Sequence, residues 1–372
     1  MALITTAEQE ELRSVIRDFL KRYSTEADLR KQIDHDPGYD TQAWRTAAEQ
    51  IGMQALAIPE ELGGAGVGFD ELAVVMEETG RFLFTGPVLP SVVLGATLLL
   101  RSGDEQACKR HLPGIADGSV VATVAVSEDQ ALWAESDVTV IATDEDSGWF
   151  LDGTKGFVLS GAEAGLILVA ARAPRGVSLF AVEAGAEGLS VEQQPVMDLT
   201  RRLAAVSFER CPAVLVGEEG AGWATIEATF NTAIVALACE QVGGAAAVLD
   251  ATVDYLKVRE QFDRPIGSFQ AIKHRCADML VELESARSAA AYASAAVAAG
   301  ADDAALAASI AKVYCSQAFY HIAAESIQMH GGIGFTWEHP AHLFFKRAKS
   351  SEVLFGNPSA HRERIARLIG MK

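Results

Sequence analysis

Apolar positions along this chain follow a helical period, then a strand period, then a helical period again. Near the start, Leu12, Ile16 and Leu20 recur every four residues, and Thr6 with Gln9 has the spacing of a capping box just ahead of them. Further helices are predicted over 41–51, 69–81 and 88–101. The loop Pro59–Gly66 and the pair Gly86-Pro87 interrupt them. The period then shortens. Ser119–Ser127, Val138–Thr143, Gly148–Leu151, Leu166–Ala171, Val177–Val182 and Ala204–Phe208 are short, β-branched or alternating runs punctuated by Gly, Asp and Pro, which predicts strands. From Trp223 onward, 224–260, 268–299, 303–330 and 338–369 are Ala-rich with apolar residues at helical spacing. Such helices pack closely. The expected fold is a multi-domain α+β chain: an N-terminal helical domain (1–111), a middle antiparallel β domain (112–222) and a C-terminal four-helix bundle (223–372).

Composition narrows the function. With 372 residues, 49% of them hydrophobic and 22% charged, the chain has ample core and is not disordered. Basic residues number 31 against 50 acidic ones, a formal charge of −19. That argues against nucleic acid as a partner, because duplex binding needs a cationic face. It leaves room for phosphate ligands held by local arginines and backbone N–H groups. The five cysteines (Cys108, Cys211, Cys239, Cys276, Cys315) have no metal or redox spacing and are expected to be small buried hydrophobes. Met1-Ala2-Leu3 leads into charged residues, unlike a signal peptide, and no uninterrupted apolar run approaches the ~20 residues of a membrane helix. No membrane span, no metal site and a reducing, cytoplasmic location are expected.

Two stretches carry candidate chemistry. One is Arg259-Glu260-Gln261-Phe262-Asp263-Arg264-Pro265-Ile266-Gly267-Ser268-Phe269-Gln270; the other is Gln328-Met329-His330-Gly331-Gly332-Ile333-Gly334-Phe335. The glycines allow close backbone approach to a pyrophosphate, and Arg259 has the fork geometry that a diphosphate accepts. With the loop Pro59–Gly66 and the segment Asp198-Leu199-Thr200-Arg201-Arg202, these stretches resemble the acyl-CoA dehydrogenase family over essentially the whole chain. The resemblance implies FAD as cofactor, an acyl-CoA thioester as substrate and electron-transfer flavoprotein as acceptor. Arg259, Phe262, Gln270, Gln328, Gly331 and Gly332 then fall at positions that meet the adenosine-diphosphate half of FAD, often a neighbouring subunit's. The reaction implied is α-proton removal with β-hydride transfer to flavin N5.

The sequence also departs from the family. Where a Thr-Glu-Pro-x-Ala-Gly-Ser-Asp loop lies over the flavin ring, this chain has Ser127–Asp137, keeping a hydroxyl at Ser127. The Trp-Ile-Thr-Asn strand becomes Phe157-Val158-Leu159-Ser160, keeping an aromatic at Phe157 but losing the Thr hydroxyl. The catalytic glutamate falls on Phe355, and the alternative base position falls on Ala233. Glu240, seven residues past Ala233 and about 10 Å along the same helix, is one candidate replacement. It is also what a structural acid paired with a neighbouring Arg or His would look like. Glu352 is a second candidate, or else a solvated helix-end charge. His274, His330, His339 and His342 read as surface or capping residues, and Lys346, Arg347 and Lys349 as a solvated helix face or contacts to CoA phosphates.

Three readings follow. The first is a subunit of a heterotetramer resembling bacterial α2β2 members that act on bulky or steroid-type thioesters, with the base on the partner. The second is a self-sufficient homo-oligomer using Glu240 or Glu352. The third is a non-catalytic scaffold or acyl-CoA-binding subunit.

Overall fold

The computed structural model describes residues 5–128 and 134–371. Helices α1 (Ala7–Tyr23), α2 (Glu26–Asp34), α3 (Thr41–Ile51), α4 (Phe69–Arg81), α5 (Thr97–Arg101) and α6 (Glu105–Ala116) come first, with a π-helical stretch over Val88–Ala96 leading into α5. The capping box forms as its spacing predicts: Thr6 Oγ1 accepts from Gln9 N–H at 3.2 Å, and Gln9 Oε1 accepts from Thr6 N–H at 3.1 Å. Strands β1 (Ala122–Ala125), β2 (Ile141–Glu145), β3 (Gly148–Leu159), β4 (Leu166–Ala173), β5 (Gly176–Glu183), β6 (Leu189–Gln193) and β7 (Leu203–Val216) build one sheet. A two-stranded ribbon, β8 (Glu260–Gln261) and β9 (Arg264–Pro265), lies among the C-terminal helices α7 (Gly222–Val258), α8 (Gln270–Ala298), α9 (Ala304–His330), α10 (Ala341–Val353) and α11 (Pro358–Leu368).

These elements group into two compact units. One comprises Met1–Arg30, Ala73–Phe84 and Ile234–Lys372; the other comprises Lys31–Leu72 and Thr85–Ala233. In the second unit the sheet runs β1-β4-β2-β3-β7-β5, and a further β4–β5 pairing closes it on a core that includes Val140, Leu151, Val169, Phe180, Val206 and Phe208. The expectation of an antiparallel domain needs correction at one edge. β1 pairs with β4 in parallel, Ala122 opposite Leu166 through Ala125 opposite Val169, and β2 touches β4 in the same sense at Ile141. All four residues of β1 are buried, the environment parallel pairing favours.

C-terminal to the sheet, the expected four helices are five, α7 to α11. The apolar run 353–355 continues the helical pattern in sequence, but Phe355 (φ +60°) and Gly356 (φ +95°) turn left-handed. Asn357 then caps α11, accepting from Ala360 N–H at 3.0 Å, with Pro358 in the first turn. Two glycines set how closely α4 and α7 meet: a Cβ on Gly80 would lie 1.9 Å from the Glu240 carbonyl, and one on Gly243 would lie 1.7 Å from that of Glu77. By length and mean hydropathy α7 could cross a membrane, although no uninterrupted run in the sequence suggests it; 94% of its apolar window is buried within the protein, as in a core helix.

Candidate active site

In the helical unit, α7 ends at Val258 and the chain turns through the β8–β9 hairpin. Glu260 pairs with Pro265 and Gln261 with Arg264, leaving a two-residue loop of Phe262 (φ +55°) and Asp263 (φ +59°). Two consecutive left-handed residues make a type I′ turn. Asp263 tolerates that conformation, whereas Phe262 adopts it at a cost of about 1 kcal/mol. Phe262 is nevertheless 85% exposed. Phe269, crossed edge-on by Phe262 at 6.1 Å and covered by the Arg264 guanidinium at 4.0 Å, supports the hairpin. Arg259 and Gln270 flank it, both exposed. At the end of α9, Gly331 has φ +66° and ψ −143°, a region closed to side chains. A Cβ on Gly331 or Gly332 would meet nothing within 4 Å. By contrast Gly334 is a packing residue, its Cβ position 2.9 Å from Ile327 O. Tyr255, one turn before Arg259, stacks on His330 at 4.3 Å and joins the ends of α7 and α9. The structure therefore brings Arg259, Phe262, Gln270, Gln328, Gly331 and Gly332 to one end of the helical unit.

In the β unit, β3 bulges between Lys155 and Val158, which leaves Gly156 buried and turns out a left-handed Phe157 (φ +55°) that is 42% exposed. Phe157 N–H donates to Gln194 Oε1 at 3.0 Å, and Gly156 N–H to the Ser127 carbonyl at 3.0 Å. Ser127 Oγ is buried and has no hydrogen-bond partner among the described residues. The stretch 129–133 of this loop lies outside the described residues. Behind the bulge sits Lys155, fully buried, its Nζ donating to Val126 O at 2.9 Å and to Glu128 Oε1 at 2.8 Å. Burial pushes the Lys155 ammonium down to about 8 against the pull of Glu128. Burial alone would raise Glu128, but the hydrogen bonds it accepts from Lys155, Thr139 and Val140 outweigh that and hold its carboxyl below the usual range.

The residues at the positions where the resemblance places a base carry no acid or base group. Ala233 is fully buried, and Phe355 is 1% exposed with its carbonyl accepting from His361 Nε2 at 2.9 Å. Glu240 is buried and its Oε1 accepts from Arg347 Nη1 at 2.5 Å, Arg347 being only 3% exposed. Arg347 thus belongs to the core rather than to a solvated face. Glu352 pairs with Lys349 at 3.0 Å. Lys312, fully buried, donates to Ser316 Oγ (3.1 Å), Ser351 O (2.7 Å) and Glu352 O (3.0 Å), so an ammonium caps the C-terminus of α10.

Lys155 and Lys312 escaped the sequence reading. A lysine amid apolar residues looks like a surface charge unless its acceptors are known, and all of these but Ser316 lie 27 to 40 positions away. His330 needs correcting as well: it is buried between Tyr255 and His339 rather than superficial. His339 does cap, its Nδ1 accepting from Ala341 N–H at 3.2 Å. The cysteines are free, four of them buried, and burial pushes the Cys315 thiol up to about 12. Among the described residues no group of three His, Cys, Asp or Glu could hold a metal.

The residues present fit the FAD that the resemblance implies, with one exception. Open space over Gly331 and Gly332, the exposed Arg259 and Phe262, and the orphaned Ser127 hydroxyl all suit it. Leu159 does not: it is an apolar side chain, 5% exposed, where the resemblance implies a hydroxyl.

Family models for the acyl-CoA dehydrogenase N-terminal, middle and C-terminal domains match residues 6–119, 123–211 and 220–370. The acyl-CoA dehydrogenase IpdE2 of Mycolicibacterium smegmatis is 34% identical over 97% of both chains. Among solved structures, the Tcur3481-Tcur3483 steroid acyl-CoA dehydrogenase superposes with a TM-score of 0.88 at 34% identity, covering 97% of both chains. The ChsE4-ChsE5 complex from Mycobacterium tuberculosis gives 0.90 at 28% identity over the full length of both. The chain therefore belongs to the acyl-CoA dehydrogenase family, whose members are FAD-dependent flavoproteins that oxidise acyl-CoA thioesters.

Proposed function

We propose that this chain is one subunit of a two-component acyl-CoA dehydrogenase, in which a second, related subunit supplies the catalytic base. The observation that carries this reading is the buried, left-handed Phe355 at the base position, with both nearby acids already paired: Glu240 with Arg347 and Glu352 with Lys349. A general base must be within hydrogen-bond reach of the proton it removes, and an acid locked against a guanidinium in the core does not meet that need. FAD, when bound, supplies the hydride acceptor. This chain's own part is binding: Arg259 and the Gly331–Gly332 turn hold the diphosphate, Phe262 packs on the adenosine, and Gln270 and Gln328 offer side-chain amides to its polar edges. The names of two structural relatives, one a steroid dehydrogenase and one a two-protein complex, support a bulky, steroid-type thioester and a heteromeric assembly. Electron-transfer flavoprotein is the proposed acceptor, and domain boundaries near 111 and 222 are part of the same proposal.

The test is to express the chain with an affinity tag in its own host and to identify what comes with it. A second dehydrogenase-like subunit is expected, together with turnover of a steroid-type acyl-CoA that neither subunit achieves alone. Stoichiometric yellow flavin and unaided turnover by this chain would overturn the reading and favour a self-sufficient enzyme.

A further inference from the structure

We infer that Lys155 is a positioning residue: from behind the β3 bulge it fixes the Ser127 hydroxyl as a hydrogen-bonding seat for the flavin ring on this chain's own β unit. The inference rests on the flavoprotein family of the chain and not on the partner-supplied base.

The geometry is a short relay. Lys155 Nζ reaches the end of β1 at Val126 O (2.9 Å) and the following loop at Glu128 Oε1 (2.8 Å), so its two contacts bracket Ser127. Glu128 is pinned from its other side by Thr139 N–H (2.5 Å), Thr139 Oγ1 (2.5 Å) and Val140 N–H (3.0 Å). Ser127 is itself tied to the bulge through Gly156 N–H at 3.0 Å. The Lys155, Glu128 and Thr139 side chains in this relay are hydrogen-bonded, whereas Ser127 Oγ is buried without a partner among the described residues. A buried hydroxyl left unbonded costs free energy unless a ligand completes it. A fully buried lysine is costly too, and hydrophobic packing would have served a purely structural purpose. Beside this hydroxyl lies the exposed, strained Phe157, a surface on which a planar heteroaromatic ring can rest.

The experiment compares FAD with ADP on the full-length chain. ADP lacks the isoalloxazine ring and serves as the ringless control, and the excess affinity for FAD reports the ring. In Lys155→Met, FAD binding is expected to weaken about tenfold with ADP binding unchanged. Ser127→Ala should do the same. The double variant should lose no more than either single one, because Lys155 acts through Ser127. Should Lys155→Met fail to fold, Glu128→Gln, which keeps the shape and removes the charge, is expected to give the same split. FAD bound no more tightly than ADP by the parent chain, or additive losses in the double variant, overturns the inference. The first of those outcomes leaves the partner-supplied base standing.

Discussion

Two ends of the helical unit treat polar groups in opposite ways. At the hairpin and the Gly331–Gly332 turn, charged and aromatic side chains are exposed, the backbone holds left-handed conformations, and space is left open. Around Phe355, the acids and bases are buried and matched: Glu240 with Arg347, Lys312 with two carbonyls and a hydroxyl, His361 with the Phe355 carbonyl. The first end resembles a site awaiting a ligand. The second has the character of a core. Left-handed backbone occurs at both ends, at Phe262, Asp263 and Gly331 and again at Phe355 and Gly356, so exposed charge and open space are what set the first end apart.

The contrast can be broken by mutation. Glu240→Gln should have the largest effect, about 3–5 kcal/mol of stability, because it leaves the Arg347 guanidinium buried without its counter-charge. Urea unfolding measures this, and a variant as stable as the parent would mean that Glu240 is free for chemistry. Next comes acid. Burial lowers the His361 imidazole from 6.5 to about 4, so the folded state stays neutral while the unfolded chain takes up a proton. The unfolded state binds more protons across that window, so stability is full above 6.5 and falls by up to about 3 kcal/mol as pH drops toward 4. His361→Gln should flatten this part of the melting-temperature profile. Gly331→Ala forces a side chain into a forbidden conformation and should cost about 2 kcal/mol by thermal melting. Gly332→Ala and Arg259→Ala touch nothing in the fold; melting should be unchanged, while ADP affinity measured by titration calorimetry falls about tenfold. If either of these destabilises the protein instead, the open end is structural too.

Much of the fold is legible in the sequence because long Ala-rich helices and alternating strands carry their period openly. β6 is not: Leu189–Gln193 is mostly exposed and polar, an edge strand recognisable only from its pairing with β7. The break between α10 and α11 is hidden by an apolar run that continues the helical pattern, although Asn357-Pro358 marks a helix start. The candidate diphosphate-side residues are conspicuous since they sit close together in two short motifs. The base side is readable only as an absence, at Phe355 and Ala233. What replaces it depends on contacts between residues as far apart as Glu240 and Arg347, which no local pattern records.

The glycines at the α4–α7 crossing bear on redesign. Gly80 and Gly243 leave no room for even a methyl group, so the stretch of α7 carrying Glu240 is a fixed rail that cannot be re-aimed without parting two helices. The turn at 354–357 already holds a non-glycine residue, Phe355, in the left-handed conformation, with Gly356 following. Retrofitting a carboxylate there is a matter of wetting a site that is 1% exposed, not of rebuilding a backbone.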